Sequence, residues 1–512
     1  MKKRWKCTLC GQIFEGEQPP VPCPVCGAGA EAFVLLEEQP AAKRWKCSVC
    51  GQIFEGERPP VPCPVCGAGE EAFVPMAEDQ PVNRWKCTVC GQIFEGEKPP
   101  VPCPICGAGE EAFVPVAEDG AAPAGATDRR FVLIGGGAAA ASAADEIRRR
   151  DRTARITMIC GEGIIPYNRP GLSDFVAGEA DFEALAIHPF DWYEEHRVRL
   201  ICDAEAVSVD PDRRCVRLGD GRGIPYDGLL LATGANAFCP VQPVEGAVPV
   251  RVLRRFDDAL ALTETVGAGS RVLVVGGGIL GVEAALGLQQ RGAAVTIVEL
   301  GPRLVGPQAD DEAAAQLRGA LEKSGIAVHT GCSVAQVTPE GAELSDGRVI
   351  DADLVLVSAG IRSELTLARQ LDLAIGRGIQ VDEWMRTSLP GICAAGDCAE
   401  FAGRVAGLWN AALEMGAVAG ATLCGVQKTP YHQPVAATAL SMEGFTLFSA
   451  GTLCGDGLRE VLRQQGDLYR KLLFENGRLV GVVATGPFSG AAAAIAAIGR
   501  GAAEEEVLGL LN

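Results

Sequence analysis

The chain has 512 residues and a formal net charge of −19 at pH 7, and 48% of its residues are hydrophobic. That length allows three or four domains with sizeable buried cores. The acidic balance argues against nucleic acid or an anionic membrane surface as a partner. No apolar run is long enough to span a bilayer, and the start MKKRWKC lacks the apolar core of a signal peptide. The sequence therefore predicts a cytoplasmic protein, in which thiolates bind metals more often than they form disulfides.

Three near-identical cysteine modules repeat every 40 residues, and we assign them to residues 1–35, 41–75 and 81–115. In each, twelve residues separate two Cys-x2-Cys pairs, a spacing that lets two turns present four thiolates to one metal ion. A module of this size buries too small a core to fold without its metal. The predicted quartets are Cys7, Cys10, Cys23 and Cys26; Cys47, Cys50, Cys63 and Cys66; and Cys87, Cys90, Cys103 and Cys106. Spacing alone leaves zinc and iron open as the metal.

A segment rich in Ala, Gly and Pro, residues 116–128, is predicted to link the modules to the rest of the chain. As a flexible coil, thirteen residues of this composition span roughly 20 Å root mean square. That reach would let a small module move over a neighbouring domain.

The first glycine-rich loop follows a predicted apolar strand, Phe131–Ile134, and leads into an Ala-rich helix. Gly135 permits a tight turn, Gly137 lets the backbone approach a pyrophosphate, and the small Ala140 permits close helix packing. A second strand, RITMIC, ends near Glu162, which we predict to accept a hydrogen bond from a ribose hydroxyl. By itself this loop is a weak signal, because its last position is Ala.

The second loop, within RVLVVGGGILGVEAALGLQQRGAAVTIVE, has the complete strand–loop–helix–strand pattern of a dinucleotide-binding unit. Gly276, Gly278 and Gly281 hold its glycine positions, and Glu299 ends its second strand. A carboxylate there accepts hydrogen bonds from the ribose 2′-hydroxyl and repels a 2′-phosphate. The sequence therefore predicts NADH as the preferred nucleotide, unless the nearby Arg303 offsets the repulsion.

Two more markers lie between and after the loops. YDGLLLATGA brings Thr233 and Gly234 to the end of a strand, and TSLPGICAAGDCAEF brings Gly396 and Asp397. With these markers the chain resembles, over about residues 129–430, the pyridine-nucleotide flavoprotein reductases that have two dinucleotide domains. The resemblance implies an α/β fold with two Rossmann-like domains. The FAD-binding domain would comprise residues 129–245 and 362–430, and the NAD-binding domain residues 246–361.

The resemblance also implies roles for single residues. In that family the first loop holds the ADP part of FAD, and the Gly-Asp pair lies at the ribitol and pyrophosphate, which are the roles of Gly135 and Asp397 here. Arg169, in PYNRPGLSD, matches an arginine near the flavin, and Glu283 matches a glutamate near the nicotinamide. Asp174 stands where many members have a lysine beside the flavin ring, so the family's electrostatics do not transfer at that position.

The segments PYNRPGLS, LWNAALEMG and YHQPVAATALSMEGFTLFSAG resemble the NADH:rubredoxin oxidoreductase and nitrite-reductase-like branch. The last of them resembles the start of that branch's small C-terminal domain, which we place at residues 431–512 as an α+β domain. The modules resemble the rubredoxin domain of rubrerythrins. Their fusion to a flavin reductase favours three mononuclear iron sites, each with four cysteine ligands, over zinc, because zinc cannot accept an electron.

We therefore predict an NADH:rubredoxin-type, FAD-dependent oxidoreductase whose chemistry resides in the cofactors and not in a catalytic side chain. Electrons would pass from NADH through FAD to iron in the modules, and then to a redox protein. The resemblance implies rubrerythrin or a flavodiiron protein as that acceptor, with neither nucleic acid nor a membrane as a partner. The alternative is a flavin NADH oxidase or peroxidase in which the cysteine modules bind zinc and act as docking arms.

Overall fold

The computed structural model describes residues 4–7, 13–15, 33–36, 44–47, 53–55, 73–75, 84–89, 93–95, 98–101, 103, 108–115, 127–427 and 429–511. The chain divides into two compact units. One comprises residues 1–85 and 94–104, and the other comprises residues 86–93 and 105–512.

The described parts of the modules form three small sheets of the same design. Their strands are β1 Arg4–Cys7, β2 Ile13–Glu15, β3 Phe33–Leu36, β4 Arg44–Cys47, β5 Ile53–Glu55, β6 Phe73–Pro75, β7 Arg84–Cys87, β8 Ile93–Glu95 and β9 Phe113–Pro115. In each sheet the RWKC strand lies in the middle, with orders β2-β1-β3, β5-β4-β6 and β8-β7-β9. The first cysteine of each quartet therefore ends a central strand.

The first dinucleotide-binding region begins with a buried strand and an Ala-rich helix. Its elements are β10 Arg130–Ile134, α1 Ala138–Arg150, β11 Arg155–Ile159, α2 Leu172–Ala177, α3 Phe182–Leu185, α4 Phe190–Glu195, β12 Val198–Ile201, β13 Ala206–Asp210, β14 Cys215–Leu218, β15 Gly223–Pro225, β16 Gly228–Leu231 and β17 Ala235–Ala237. A 3-10 turn at Arg169–Gly171 leads into α2.

The second dinucleotide-binding region repeats the arrangement. It contains β18 Val250–Val252, α5 Phe256–Thr265, β19 Arg271–Val275, α6 Ile279–Gln290, β20 Ala294–Glu299, α7 Asp311–Lys323, β21 Ala327–Thr330, β22 Val334–Thr338, β23 Gly341–Leu344, β24 Val349–Asp351, β25 Leu354–Val357 and β26 Ile361–Ser363. Its five parallel strands have the order β18-β25-β19-β20-β21.

The chain then returns to the first sheet through α8 Thr366–Gln370, β27 Ile379–Val381, β28 Ile392–Ala394, β29 Ala399–Phe401 and α9 Trp409–Leu423. Strand β28 completes a parallel sheet of order β12-β11-β10-β16-β28. The inner strands are apolar on both faces because helices cover a parallel sheet on both sides. In such sheets ligands bind outside the carboxyl ends of the strands.

The C-terminal region is a small α+β domain. It contains β30 Ala437–Met442, β31 Phe445–Gly451, β32 Arg459–Gln465, β33 Leu468–Glu475, β34 Arg478–Thr485, α10 Ala491–Arg500 and α11 Glu504–Val507. Its antiparallel sheet has the order β30-β31-β34-β33-β32. Leu440, Leu447 and Tyr469 of this sheet share a hydrophobic core with the second dinucleotide-binding region. The Tyr469 hydroxyl also donates to Asp310 at 2.6 Å, so this domain is attached by both apolar and polar contacts.

The structure confirms the predicted fold class of two Rossmann-like domains followed by a small α+β domain. In the part of the chain that the structure describes, we find no helix that is both long and apolar enough to cross a membrane.

Candidate dinucleotide-binding sites

The first glycine-rich loop lies between β10 and α1 and contains two glycines with different constraints. At Gly135, φ is +138°, and a Cβ atom would overlap the Ala232 carbonyl oxygen, so the fold itself requires glycine there. At Gly137, φ is −103°, and no described atom lies within 4 Å of where a Cβ would be. The space beside Gly137, at the start of α1, is therefore open to a ligand and suits an approaching pyrophosphate.

Close packing of α1 against α9 fixes the position of this loop. Ala140 is fully buried. On the facing helix, a Cβ at Gly416 would overlap the Ala139 carbonyl oxygen. Only small residues allow backbones to approach so closely, and this contact holds the start of α1 against the rest of the domain.

The segments Thr233–Gly234 and Gly396–Asp397 lie beside the first glycine-rich loop, at the same edge of the sheet. Ala232 donates its backbone N–H to Ile134 at 2.8 Å, and Ala395 donates to Leu231 at 3.0 Å, so the loops after β10, β16 and β28 lie side by side. The Thr233 hydroxyl donates to the Glu364 carbonyl at 3.1 Å, and Gly234 has φ +69°. A Cβ at Gly396, where φ is +80°, would lie 3.1 Å from the Ala139 Cβ.

Asp397 is paired with an arginine that the sequence patterns did not single out. Arg254 donates to the Asp397 carboxylate at 2.7 Å and to the Ala235 carbonyl at 3.1 Å. Both side chains are largely buried, with 15% and 18% of their surface exposed. The arrangement places a largely buried ion pair at the loop that follows β28. The sequence signal that could have identified Arg254 is its place in the short connection between strand β18 and helix α5.

Glu162 and Arg169, predicted as separate cofactor contacts, bind each other. Arg169 donates to one Glu162 carboxylate oxygen at 2.5 Å, and the Tyr167 hydroxyl donates to the other at 2.7 Å. Burial by itself would raise the pKa of Glu162, but the charge and hydrogen bonds of Arg169, with the bond from Tyr167, lower it. Arg169 also donates to the Arg254 carbonyl. Glu162 thus anchors the YNRP segment, and its contact with a ribose stays a prediction.

Two buried polar atoms near this edge have no hydrogen-bond partner among the described residues. They are Asn168 Oδ1, in the YNRP segment, and Trp409 Nε1, at the first residue of α9. A buried polar group without a partner costs about 1–3 kcal/mol, and a bound ligand or an ordered water supplies the missing partner. The flavin ring of FAD carries both donors and acceptors on its edge. Together with the open space at Gly137, these atoms fit the predicted FAD.

The second glycine-rich loop, between β19 and α6, repeats the pattern of the first. A Cβ at Gly276, where φ is +114°, would overlap the Ser358 carbonyl oxygen. A Cβ at Gly281 would overlap the Gly276 carbonyl oxygen, so this position also requires glycine for packing. No described atom lies within 4 Å of a Cβ at Gly278, which again leaves room for a dinucleotide.

Glu299 lies beside this loop and lines a pocket of about 310 Å³ that also includes Gly278 and Arg303. Its carboxylate accepts the backbone N–H of Gly277 at 2.7 Å and that of Gly301 at 2.5 Å. These bonds hold the carboxylate at the mouth of the loop, where the predicted ribose would lie. The Arg303 guanidinium donates to Ala309, Asp311 and Gly306 at 3.0–3.3 Å. Arg303 is therefore held by hydrogen bonds within its own loop and does not offset the charge of Glu299. This supports the predicted preference for NADH.

Glu283 lies on α6, facing α2, in a mostly apolar setting. Burial, with a smaller effect from the Asp174 carboxylate, raises the pKa of Glu283 to about 7. Asp174 therefore has the opposite effect to a lysine at the same position, which would stabilise the ionised glutamate. The protonated form of Glu283 is therefore favoured more than that of an exposed glutamate at the same pH. Its place beside the nicotinamide stays a prediction.

Among the twelve predicted metal ligands, the side chains of Cys87 and Cys103 are described, and both are buried. Cys7 and Cys47 end strands β1 and β4, as Cys87 ends β7. The other predicted ligands lie outside the described residues: Cys10, Cys23, Cys26, Cys50, Cys63, Cys66, Cys90 and Cys106. The metal quartets therefore stay predictions.

Comparison with protein families identifies two kinds of domain. The family model for pyridine nucleotide-disulphide oxidoreductase matches residues 129–416. The family model for the rubrerythrin rubredoxin-like domain matches three times, at residues 5–34, 45–74 and 85–114. Both resemblances stated from the sequence are confirmed.

Among curated proteins, the chain is similar to a nitrite reductase [NAD(P)H] of Bacillus subtilis, with 32% identity over 70% of this chain and 46% of that protein. It is 29% identical to the NADH-rubredoxin oxidoreductase of Clostridium acetobutylicum over 65% of this chain and 85% of that protein. It is 32% identical to a ferredoxin–NAD(+) reductase subunit of a benzene 1,2-dioxygenase system of Pseudomonas putida, over 69% and 88%. The chain thus spans about half the length of the nitrite reductase.

Among solved structures, the NADH:rubredoxin oxidoreductase from Clostridium acetobutylicum has a TM-score of 0.63 and 26% identity, over 75% of this chain and 99% of that one. The covalent putidaredoxin reductase–putidaredoxin complex has a TM-score of 0.66 and 25% identity, over 73% and 94%.

Proposed function

This chain belongs to the pyridine nucleotide-disulphide oxidoreductase family, and we propose that it passes electrons from NADH through FAD to iron in its own rubredoxin-like modules. From there the electrons would reach a redox protein, such as a rubrerythrin or a flavodiiron protein. One observation carries the proposal: three rubredoxin-like modules and two dinucleotide loops occur in a single chain. An enzyme that only exchanged hydride between soluble substrates would have no use for one-electron carriers.

FAD and NADH are the cofactors of this family, and rubredoxin-like domains bind iron. FAD, when bound, would supply the chemistry that takes a hydride from NADH and passes on single electrons. The overall reaction would convert NADH and two Fe(III) into NAD⁺, two Fe(II) and one proton. The modules supply one-electron acceptors, which a nicotinamide cannot reduce efficiently by itself.

The described residues support this reaction by positioning and charge. Gly137 and the start of α1 would hold the FAD pyrophosphate, and Asn168 and Trp409 would hydrogen-bond the edge of the flavin. Gly278 and Glu299 would hold the nicotinamide dinucleotide. Glu283, with its pKa near 7, can take up or release a proton at neutral pH without a large free-energy cost.

The metal content and the visible spectrum test the proposal directly. We expect one iron in each module, and a thiolate-to-iron absorption that bleaches when NADH is added without oxygen. Three ferric sites should consume about 1.5 equivalents of NADH, and FAD about one more, because each NADH carries two electrons. Zinc in all three modules after anaerobic expression with iron supplied would contradict the proposal. It would favour the alternative of a flavin oxidase with docking arms.

A second prediction concerns the choice between NADH and NADPH, which we expect Glu299 to determine. NADH should exceed NADPH in kcat/KM by about 10- to 100-fold, because a fixed carboxylate repels the 2′-phosphate. Glu299→Gln keeps an acceptor for the Gly277 N–H but removes the charge, so this preference should shrink. Glu343→Gln, on an exposed position of β23, is the matched control and should leave the ratio unchanged. Equal kcat/KM values for the two nucleotides in the unmodified chain would show that Glu299 does not face the 2′-position.

A further inference from the structure

We propose that Cys160 and Cys202 form a redox-active thiol pair, which reduces a small hydroperoxide and closes into a disulfide beside the first glycine-rich loop. Cys202 is the attacking thiol of this pair, and Cys160 is the resolving thiol. The inference goes beyond the proposed function, because neither cysteine has a role in the transfer of electrons from NADH to iron. Both residues lie in the first dinucleotide-binding region, directly after β11 and β12.

The sheet brings the two cysteines side by side. The parallel register of β11 and β12 ends with Ile159 opposite Ile201, and the next residues are Cys160 and Cys202. The Cys160 N–H donates to the Ile201 carbonyl at 2.8 Å, so the strands are still paired at this point. Residues opposite each other in parallel strands present their side chains on one face, about 4.8 Å apart. A disulfide accepts Cα separations of roughly 4.4–6.8 Å.

The two thiols interact directly, and they differ in exposure. Cys160 is 1% exposed, whereas Cys202 is only half-buried. A hydrogen bond from the Cys160 thiol lowers the pKa of Cys202, and the same bond, together with burial, raises the pKa of Cys160. In its neutral form the Cys202 thiol donates to the Ile164 carbonyl at 3.6 Å, which orients its sulfur. The more accessible thiol is therefore also the one that ionises more readily, as an attacking cysteine requires.

The reaction has two steps, and a hydroperoxide is the oxidant because a half-buried sulfur admits a small molecule. The Cys202 thiolate attacks one peroxide oxygen, so that an S–O bond forms and the O–O bond breaks. The other oxygen leaves as an alcohol, or as water, with the proton that Cys202 released. The Cys160 sulfur then attacks the Cys202 sulfur, and water leaves with the Cys160 proton. Two thiols and one hydroperoxide thus give one disulfide, one alcohol and one water, and a dithiol restores the thiols by exchange.

The pair lies against the backbone of the first glycine-rich loop. A Cβ at Gly136 would lie 3.2 Å from the Cys160 Sγ, so this sulfur packs between Gly135 and Gly137. Closing the disulfide draws the Cys160 sulfur towards Cys202 and changes this contact. Because Gly137 is the open position of the predicted FAD loop, we expect FAD affinity to differ about fivefold or more between the thiol and disulfide forms.

Peptide mapping of the full-length chain tests the disulfide directly. Arg197 and Arg199 lie between the two cysteines, so trypsin releases Cys160 and Cys202 in different peptides. After brief treatment with hydrogen peroxide and alkylation of the remaining thiols, the two peptides should be joined. Their mass should be lower by two hydrogen atoms than that of the two reduced peptides, and dithiothreitol should separate them. The result does not depend on the metal in the modules, because it follows single peptides.

Serine variants test the two roles. In Cys160→Ser, peroxide should leave Cys202 as a sulfenic acid, which a 1,3-dione probe traps. This labelling should exceed that of Cys160 in Cys202→Ser by about tenfold or more, because the thiolate is the reactive form. Cys239→Ser is the matched control, since Cys239 is exposed and lies two residues after β17, and it should form the disulfide at the unmodified rate.

Three outcomes would contradict parts of this inference. If peroxide oxidises Cys239 in the unmodified chain but does not join Cys160 to Cys202, the thiol pair is wrong. Stronger labelling of Cys160 than of Cys202 in the serine variants would reverse the two roles. Equal FAD affinities of the thiol and disulfide forms would end the coupling to the loop. A chain in which NADH never reduces iron would contradict the proposed function alone, because the disulfide forms without NADH.

Discussion

Gly137→Ala is expected to give a folded protein that no longer retains FAD. The backbone at Gly137 has φ −103°, which alanine adopts readily, and no described atom lies within 4 Å of the added methyl group. That methyl would instead occupy the space where a pyrophosphate approaches the start of α1. We expect at least about a 100-fold loss in FAD affinity, comparable to the removal of several backbone contacts with a phosphate. Flavin absorbance of the purified protein and titration with FAD measure the effect.

Two further variants control for the position of the methyl group. Gly135→Ala should destabilise the fold itself by several kcal/mol, because φ is +138° and the new Cβ overlaps the Ala232 carbonyl oxygen. Gly278→Ala places a methyl group in the equivalent open space of the second loop and should leave FAD bound. Full retention of FAD by Gly137→Ala, at unchanged affinity, would mean that the cofactor does not approach this glycine.

Local sequence patterns predicted the scaffold of both sites. Each of these motifs consists of residues that are neighbours in sequence and lie at a turn or a strand end. They are the two glycine loops, the Ala-Thr-Gly segment that follows β16 (the ATG strand) and the pair Gly396–Asp397. The parallel sheet then brings Gly135, Thr233 and Gly396 to one edge, since the carboxyl ends of parallel strands meet there. The confirmed fold class thus reflects short-range rules applied at several points along the chain.

Pairings between individual side chains could not be predicted in the same way. Nothing in the local pattern indicated that Glu162 would bind Arg169 instead of standing alone, because both residue types also suit a cofactor. Arg254 reaches Asp397 across 143 residues. Such contacts depend on which loops converge, and the composition of neither segment identifies its partner.

Asp174 reverses the charge at a position where many members of the family have a lysine beside the flavin ring. A lysine there would lower the pKa of a nearby glutamate, whereas Asp174 helps to raise that of Glu283. The free energy of unfolding does not depend on Glu283 below its unfolded pKa near 4.5, where the group is protonated in both states. Between that value and pH 7 the unfolded chain ionises more readily than the folded protein, so this free energy decreases. The folded protein therefore loses stability from this group as the pH increases, and Glu283→Gln would remove that loss.

Removal of residues 1–128 is expected to slow electron transfer to a protein acceptor strongly while leaving the flavin chemistry intact. Both glycine loops, the ATG strand and the Gly-Asp pair lie within residues 129–416, and among the described residues their cores include none from the modules. FAD binding and anaerobic flavin reduction by NADH should therefore change less than about twofold. Transfer to the acceptor should fall by about 100-fold or more, because tethering supplies an effective carrier concentration in the millimolar range.

Two experiments test whether transfer is lost because the tethered electron carrier is missing. One adds free rubredoxin, and the other uses a chain with one module. Free rubredoxin should restore part of the transfer in proportion to its concentration, because it replaces a tethered carrier with a diffusing one. A chain that keeps only residues 81–512 should transfer more slowly than the full chain but far faster than residues 129–512. The Cys103→Ser and Cys106→Ser double variant of the full chain then shows whether the third module must receive electrons first. If residues 129–512 reduce the acceptor as fast as the full chain does, the modules lie outside the electron path, and a docking role is the better explanation for three copies.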